Sequence, residues 1–344
     1  MTSSQQQIFH FLTSVHRFHM REGKRRTKTN RKAQMMRAKS LNDARIQKPR
    51  LLVVGSKGFI GQHLINKAQG LWDVFPADCQ VDASEQGTFP VDITKAESVR
   101  ELFQKVRPDA VVLLAAMSDI DRCEEHPDQA WEINVQGPEN VVRSCAETGS
   151  RLLFVSSAAV FDGTQHGYKE EDQPHPLSTY GRTKHQAEMA ISKVLPSSII
   201  VRPALVLGFS RSAGTNAFLN RLAQALREGK AVHAPADEYR NPIDVTTLSK
   251  IIAELIQIPS ASGIFHVGSL DSLSRYEMTR QLAEGMGFQD SQVIPQTGSK
   301  PGRAARGKAH LLLSERILKT CGIQPGTAHD VIRRSLDGFA ESSI

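Results

Sequence analysis

From Arg50 onward, short apolar runs alternate with longer amphipathic stretches. Segments 51–54, 73–76, 110–114, 151–155 and 198–201 are apolar, several of them rich in Val and Ile, which predicts short buried strands. Between them, 61–69, 95–106, 128–148 and 180–194 carry the mixed pattern of helices lying on a core. Strand, helix, strand at this pitch predicts an α/β chain: a Rossmann-type doubly wound parallel sheet, with ligands beyond the carboxyl ends of the strands. After residue 208 the order loosens. Helices over 217–228, 245–256, 274–286 and 314–321 and a strand over 263–267 predict a smaller C-terminal substrate-binding lobe (208–344), partly interleaved with the nucleotide-binding domain (49–207).

Residues 1–48 do not share this pattern. They are rich in Arg, Lys, Gln and Ser and hold no sustained apolar stripe, so a basic disordered leader is expected. A transit peptide and a nucleic-acid-binding arm are the alternatives; a basic run by itself is usually only solvated. The charge of the whole chain, +7, divides unevenly: residues 1–50 carry 13 Lys and Arg against Glu22 and Asp43, a net of +11, which leaves −4 on the rest. The body is therefore mildly acidic, and a nucleic-acid partner is not expected.

At 344 residues, 40% hydrophobic and 23% charged, the composition is that of a globular protein with ample core. No apolar run reaches the roughly 18 residues of a membrane span. Cys79, Cys123, Cys145 and Cys321 form no CxxC pair and have no histidines at metal spacing. They read as reduced thiols of a cytoplasmic protein without a metal site.

The first strand runs into Gly55-Ser-Lys-Gly58-Phe-Ile-Gly61 and then a helix. In that context Gly55 permits the tight turn, Gly58 lets backbone N–H groups approach a pyrophosphate, and Gly61 lets helix and strand pack closely. Asp78, 17 residues past Gly61, stands where a carboxylate accepts hydrogen bonds from an adenosine ribose, which favours NADH. Lys57, inside the loop, would instead meet a 2′-phosphate, so NADPH stays open. Asp92 and Ile93 end a further short segment within reach of an adenine amino group; the plainer reading of Asp92 is a cap for the helix that follows.

Tyr180 and Lys184 stand at i,i+4 on a helix face. A phenol exchanges protons poorly at neutral pH unless a neighbouring ammonium stabilises its phenolate, and Lys184 is placed to do so. A serine hydroxyl at the end of the preceding strand would hold a substrate carbonyl beside Tyr180. Ser157 is preferred to Ser156 for that role.

Together these residues make 50–341 resemble the extended short-chain dehydrogenase/reductase superfamily. Phe154-Val-Ser-Ser-Ala-Ala-Val-Phe-Asp-Gly163, Ala115-Ala-Met-Ser-Asp-Ile-Asp-Arg-Cys-Glu124, Asn134-Val135, Tyr239-Arg-Asn-Pro242 and Lys300-Pro-Gly-Arg303 look most like the dTDP-4-dehydrorhamnose reductase family. The resemblance implies that Tyr180 donates a proton, that Lys184 fixes the cofactor ribose and lowers the Tyr180 pKa, and that Ser157 binds the substrate oxygen. It also implies a cofactor cleft lined by Phe59, Ile60, Ala115, Ala116 and Ser118, with Ser118 and Arg202 on the substrate side. Leu113 stands where the superfamily usually shows Asn or His, and Ala158-Ala159 replaces a common Asp-Tyr pair.

The expectation is thus an NAD(P)H-dependent reductase of a keto-sugar nucleotide, with a second copy of the chain as a candidate partner. An epimerase or dehydratase using the same core is one alternative. A non-catalytic nucleotide-binding regulatory subunit is the other, since the regulatory subunit of methionine adenosyltransferase resembles the same family.

Overall fold

Alternation within each strand sorts the apolar residues onto two faces of one sheet. The computed structural model describes residues 48–81, 86–210, 218–289, 292–298, 303–337 and 339. The expected leader, apart from Lys48, lies outside them, as do Ala217 and Lys300 to Gly302. Residues Pro49–Ile344 form a unit of their own.

Strand β1 (Arg50–Val54) leads through helix α1 (Phe59–Ala68) to β2 (Asp73–Asp78), the short β3 (Phe89–Pro90), α2 (Ala96–Val106) and β4 (Ala110–Leu113). Then follow α3 (Ile120–Glu125), α4 (Pro127–Trp131), α5 (Gly137–Thr148), β5 (Arg151–Val155), α6 (Thr179–Val194) and β6 (Ile199–Pro203). The remainder comprises β7 (Val206–Leu207), α7 (Phe218–Arg227), β8 (Val232–Pro235), β9 (Tyr239–Arg240), β10 (Ile243–Asp244) and α8 (Val245–Leu255). It continues with β11 (Gly263–Val267), β12 (Leu273–Ser274), α9 (Arg275–Gly285), β13 (Val293–Gln296), β14 (Ala309–His310), α10 (Glu315–Cys321) and α11 (Ala328–Ser335).

The main sheet has seven strands in the order β11-β6-β5-β4-β1-β2-β3, all paired in parallel. The chain runs outward from β1 in one direction and then from β4 in the other. The reversal opens a crevice beyond the carboxyl ends of β1 and β4, where such sheets bind ligands. Leu51, Val53, Leu153, Val155, Ile199 and Val201 face one side and pack on α8 through Leu248, Ile251 and Ile252. Leu52, Val54, Val111, Leu113, Leu152 and Phe154 face the other, under α2, α5 and α6.

The later segments build a second core from Leu219, Leu222, Leu226, Met278, Leu282, Val331 and Ile332. Yet β11 returns to the main sheet, in register with β6 from Gly263 opposite Ile199 to Val267 opposite Pro203. The two halves are interleaved in this sense. Among the described residues, no helix is long and apolar enough to cross a membrane.

The expected helix over 128–148 is broken. A π turn, Glu132–Gln136, separates α4 from α5, with Gly137 N–H bonding Glu132 O. Pro138 lacks an N–H and cannot donate to the Asn134 carbonyl as an α-helix requires, and the wider turn absorbs the mismatch. Helix α1 begins at Phe59, before the expected start, and α3 and α11 had no expected counterpart.

Candidate active site

At the end of β1, Gly55 turns with φ +89°, and its N–H and that of Ser56 both bond Ala77 O, at 2.9 and 3.1 Å. A Cβ on Gly55 would lie 2.5 Å from Ala115 N, and one on Gly61 2.4 Å from Gly55 O. Gly58 is the N-cap of α1 and supplies no side chain to its first N–H groups, which are left open to an anion. The Ser56 hydroxyl is buried and has no hydrogen-bond partner. A pyrophosphate fits this loop on all three grounds: close backbone, uncapped donors and an orphaned hydroxyl.

Asp78, at the end of β2, accepts from Lys57 N at 2.9 Å and Gln80 N at 3.3 Å. It therefore pins the loop, while Lys57 Nζ donates to Gln80 O. Phe59 and Ile60 are half-buried at the start of α1, and Ala115, Ala116 and the exposed Ser118 follow β4 on the facing side. Asp92 is occupied otherwise: it accepts from Thr94 N and Oγ1 at 3.1 and 2.7 Å and pairs with Lys95 at 3.2 Å. Ile93 is core, 6% exposed, with its side chain under Gly137.

Helix α6 starts where Ser178 caps it, accepting from Gly181 N at 3.1 Å. The Glu124 carboxylate seats its first residue, taking Thr179 N at 2.6 Å and Oγ1 at 2.7 Å. Tyr180 is half-buried and packs on a cluster of Met117, Cys123 and Ala130. The Ser157 hydroxyl accepts from Ala159 N at 3.1 Å and lies beside the Tyr180 phenol. Burial pushes that phenol up to about 12, with Ser157 opposing, so the phenol pKa is raised and the opposing group is Ser157 where Lys184 was expected. Lys184 is 2% exposed; its Nζ donates to Val155 O at 2.7 Å and sits 4.1 Å from the centre of the Phe154 ring. Burial pushes its ammonium down to about 7, and the charge of Glu188 opposes the fall. Ser157, Tyr180 and Lys184 thus converge at the ends of β5 and α6.

The residues sequence reasoning passed over lie around this point. Asn134, inside the π turn and 1% exposed, accepts from Met117 N at 2.8 Å and donates to Met117 O at 3.0 Å and to Thr183 Oγ1 at 3.2 Å. It ties the loop after β4 to the helix of Tyr180. Its only sequence signal was its place in a family motif, without a role.

Arg202 needs correcting. It was expected on the substrate side, yet it is 2% exposed and closed in two-pronged fashion on Glu188, Nε to Oε1 at 2.9 Å and Nη2 to Oε2 at 2.6 Å. Its remaining donor approaches His266 Nε2 at 3.4 Å. The end of β6 faces inward on α6, so the guanidinium is spent on a buried pair.

Cationic groups gather elsewhere. Arg240 donates to the carbonyls of Tyr239, Lys308 and Gly307 and meets Glu238, which also binds Arg303. Arg275 lies 5.0 Å from the Phe218 ring within the field of Glu238, Arg303 and Arg306. Arg306 pairs with Asp121 at 2.9 Å, and Ala304 N bonds the same carboxylate at 2.8 Å. Four guanidinium groups share two carboxylates, and Asp121 joins them to the helix that follows the Ala115–Ser118 loop.

With this geometry in place the comparisons are direct: the RmlD substrate binding domain family matches residues 49–340. The chain belongs to that family. Among its relatives is a methionine adenosyltransferase 2 subunit beta of Bos taurus, 28% identical over 303 residues that cover 86% of this chain and 90% of the relative. A dTDP-4-dehydrorhamnose reductase of Mycolicibacterium smegmatis is 27% identical over 281 residues, covering 80% and 81%. The structure of dTDP-4-dehydrorhamnose reductase from Bacillus anthracis, solved in complex with NADP, superposes with a TM-score of 0.75 at 25% identity, covering 86% of this chain and 99% of that one. This RmlD-family chain therefore shares its fold with a nicotinamide-binding reductase, and shares comparable sequence identity with a subunit named for another enzyme.

Proposed function

We propose that the chain is an NAD(P)H-dependent reductase of a keto-sugar nucleotide, of the dTDP-4-dehydrorhamnose reductase kind. One observation carries the reading: Ser157, Tyr180 and Lys184 gather at the carboxyl end of β5, on the same edge of the parallel sheet as the glycine cradle after β1 that a pyrophosphate fits.

In this reading Gly55, Gly58, Phe59, Ile60 and Gly61 hold the pyrophosphate. Asp78 meets a ribose, and Ala115, Ala116 and Ser118 line the facing wall, while Asp92 and Ile93, taken up by Thr94 and by the core, are left out of the cofactor set. A bound reduced nicotinamide would supply the hydride. Ser157 holds the substrate carbonyl oxygen, and the Tyr180 O–H donates its proton to that oxygen as negative charge develops. Burial raises the phenol pKa, so the proton is present at neutral pH, and the Ser157 hydroxyl is the group that opposes the rise. The Arg240, Arg275, Arg303 and Arg306 group supports a nucleotide diphosphate as the handle of the substrate, because its cations outnumber Glu238 and Asp121.

Tyr180→Phe tests the assignment. It is expected to leave melting temperature and cofactor affinity near wild type and to lower turnover about 10²-fold or more with NADH or NADPH and a keto-sugar nucleotide. Turnover within a few-fold of wild type would remove Tyr180 from the chemistry.

The likeness to methionine adenosyltransferase 2 subunit beta favours a second reading, a non-catalytic nucleotide-binding subunit. It predicts that the wild type binds nicotinamide nucleotides and turns over none of the sugar nucleotides. Tightly retained NAD⁺, seen by mass spectrometry of the purified protein, would point instead to an epimerase or dehydratase.

A further inference from the structure

The stripe that carries Tyr180 and Lys184 continues one turn further, to Glu188. Glu188 is 3% exposed and holds both prongs of the equally buried Arg202. Beside its carboxylate lies the buried Ser156 hydroxyl, which helps hold the carboxyl below its ordinary range, and His185 Nδ1 stands 3.9 Å from Oε2. Ser156 also anchors the end of β5 on β6, its N–H bonding Val201 O at 2.7 Å. A buried ion pair is a weak source of stability, because desolvating two charges offsets most of their attraction. Its position suggests another use. It adjoins the two residues that present the site: Lys184, one turn back, and Ser157, next in the chain to Ser156.

We propose that Glu188 is a positioning residue of the Ser157, Tyr180, Lys184 site: fixed by Arg202, its carboxylate keeps the buried Lys184 ammonium charged and steadies, beside Ser156, the strand end that presents Ser157. The inference rests on the reductase reading of that site.

Ionisable groups approach this point from each neighbouring element. Helix α3 brings the Cys123 thiol, which burial pushes up to about 11; α6 itself brings Tyr180 and His185. Strand β6 brings Arg202, and β11 brings His266, which burial pushes down to about 4. Of these described groups Glu188 alone is anionic at neutral pH. The Val155 carbonyl that accepts from Lys184 Nζ is neutral and cannot by itself offset the burial of a charge.

The test is the titration of Lys184 by NMR in protein carrying ¹³Cε-lysine, without cofactor or substrate, its resonance identified by loss in Lys184→Met. Glu188→Gln is expected to lower the midpoint by about one pH unit or more, a tenfold change in proton affinity, whereas Glu188→Asp keeps the charge and most of the midpoint. Glu188→Gln strands the Arg202 cation, so Glu188→Gln/Arg202→Met, which removes that stranded cation as well, is titrated alongside and is expected to shift in the same direction. A folded variant of either kind whose Lys184 midpoint matches wild type would overturn the proposal. The measurement needs no turnover: a wild type inactive on every keto-sugar nucleotide, with the midpoint still falling, would sink the reductase reading while supporting the role of Glu188 toward Lys184.

Discussion

Gly181 directly follows Tyr180, and the chain leaves it no room for a side chain. A Cβ there would lie 2.2 Å from Ala159 O and 2.9 Å from the Pro176 Cβ, so the start of α6 rests on the turn that carries Ser157. That contact sets the spacing between the serine and the phenol. Gly181→Ala is expected to cost about 1–3 kcal/mol of stability by overpacking and to lower turnover more than cofactor affinity. Urea unfolding and steady-state kinetics check it, and unchanged turnover would show that the spacing tolerates the shift. Asp78 offers a second test. As a carboxylate near a ribose it would attract a 2′-OH and repel a 2′-phosphate, so Asp78→Ala is expected to weaken NADH more than NADPH. Because Asp78 also holds Lys57 N, some loss for both cofactors is expected; equal losses would leave it as a loop anchor alone.

The element that decides the most is the π turn between α4 and α5. Residue 134 of an uninterrupted helix would present a different direction. The wider turn aims Asn134 inward, where its amide bridges Met117 and Thr183. Asn134→Ala strips the buried Met117 N–H of its acceptor, while Met117 O keeps the Cys123 thiol and Thr183 Oγ1 keeps Tyr180 O, and about 1–3 kcal/mol of destabilisation follows. Because the Met117 segment belongs to the wall facing the glycine loop, cofactor affinity is expected to fall too, which isothermal titration calorimetry would read. A stability loss with unchanged affinity would confine Asn134 to a packing role.

At the scale of the whole molecule, two buried histidines join the lobe to the sheet. His266 on β11 bonds Tyr168 O through Nδ1 at 3.1 Å and faces Arg202, while His310 on β14 lies near Arg240. Burial first, and then the neighbouring guanidinium, pushes them from 6.5 down to about 4 and about 3. Their folded pKa values are depressed, so below pH 6.5 the unfolded chain binds protons that the native state refuses. Their stabilisation is complete above pH 6.5 and is lost progressively as the pH falls toward 4 and 3. Each ring then contributes a slope of about 1.4 kcal/mol per pH unit. Between pH 6.5 and 5, above the carboxylate range, unfolding free energies from urea titrations are expected to fall with this combined slope, and His266→Gln to remove about half of it. A flat profile over that window would show that both rings accept protons in the native state.

Much of this architecture was legible in the chain because it follows from local regularities. Apolar runs at a fixed pitch predict a parallel sheet, and the glycine triplet after β1 and the i,i+4 pair Tyr180 and Lys184 are spacings that backbone geometry turns directly into positions. Other features have no such local code. The helix over 128–148 looked continuous, and only the absent N–H of Pro138, acting inside a packed bundle, shows where it must widen. Arg202 looked available at a strand end; the inward face of β6 and the spacing of Glu188 on α6 closed it into a buried pair. Asn134 and the arginine group act through partners as far as 49 and 185 residues away, and Glu188 through Arg202 on the next strand. Sequence determines which groups exist and how an element repeats, whereas long-range packing decides which faces meet, and with them which charges are buried, paired or left to act.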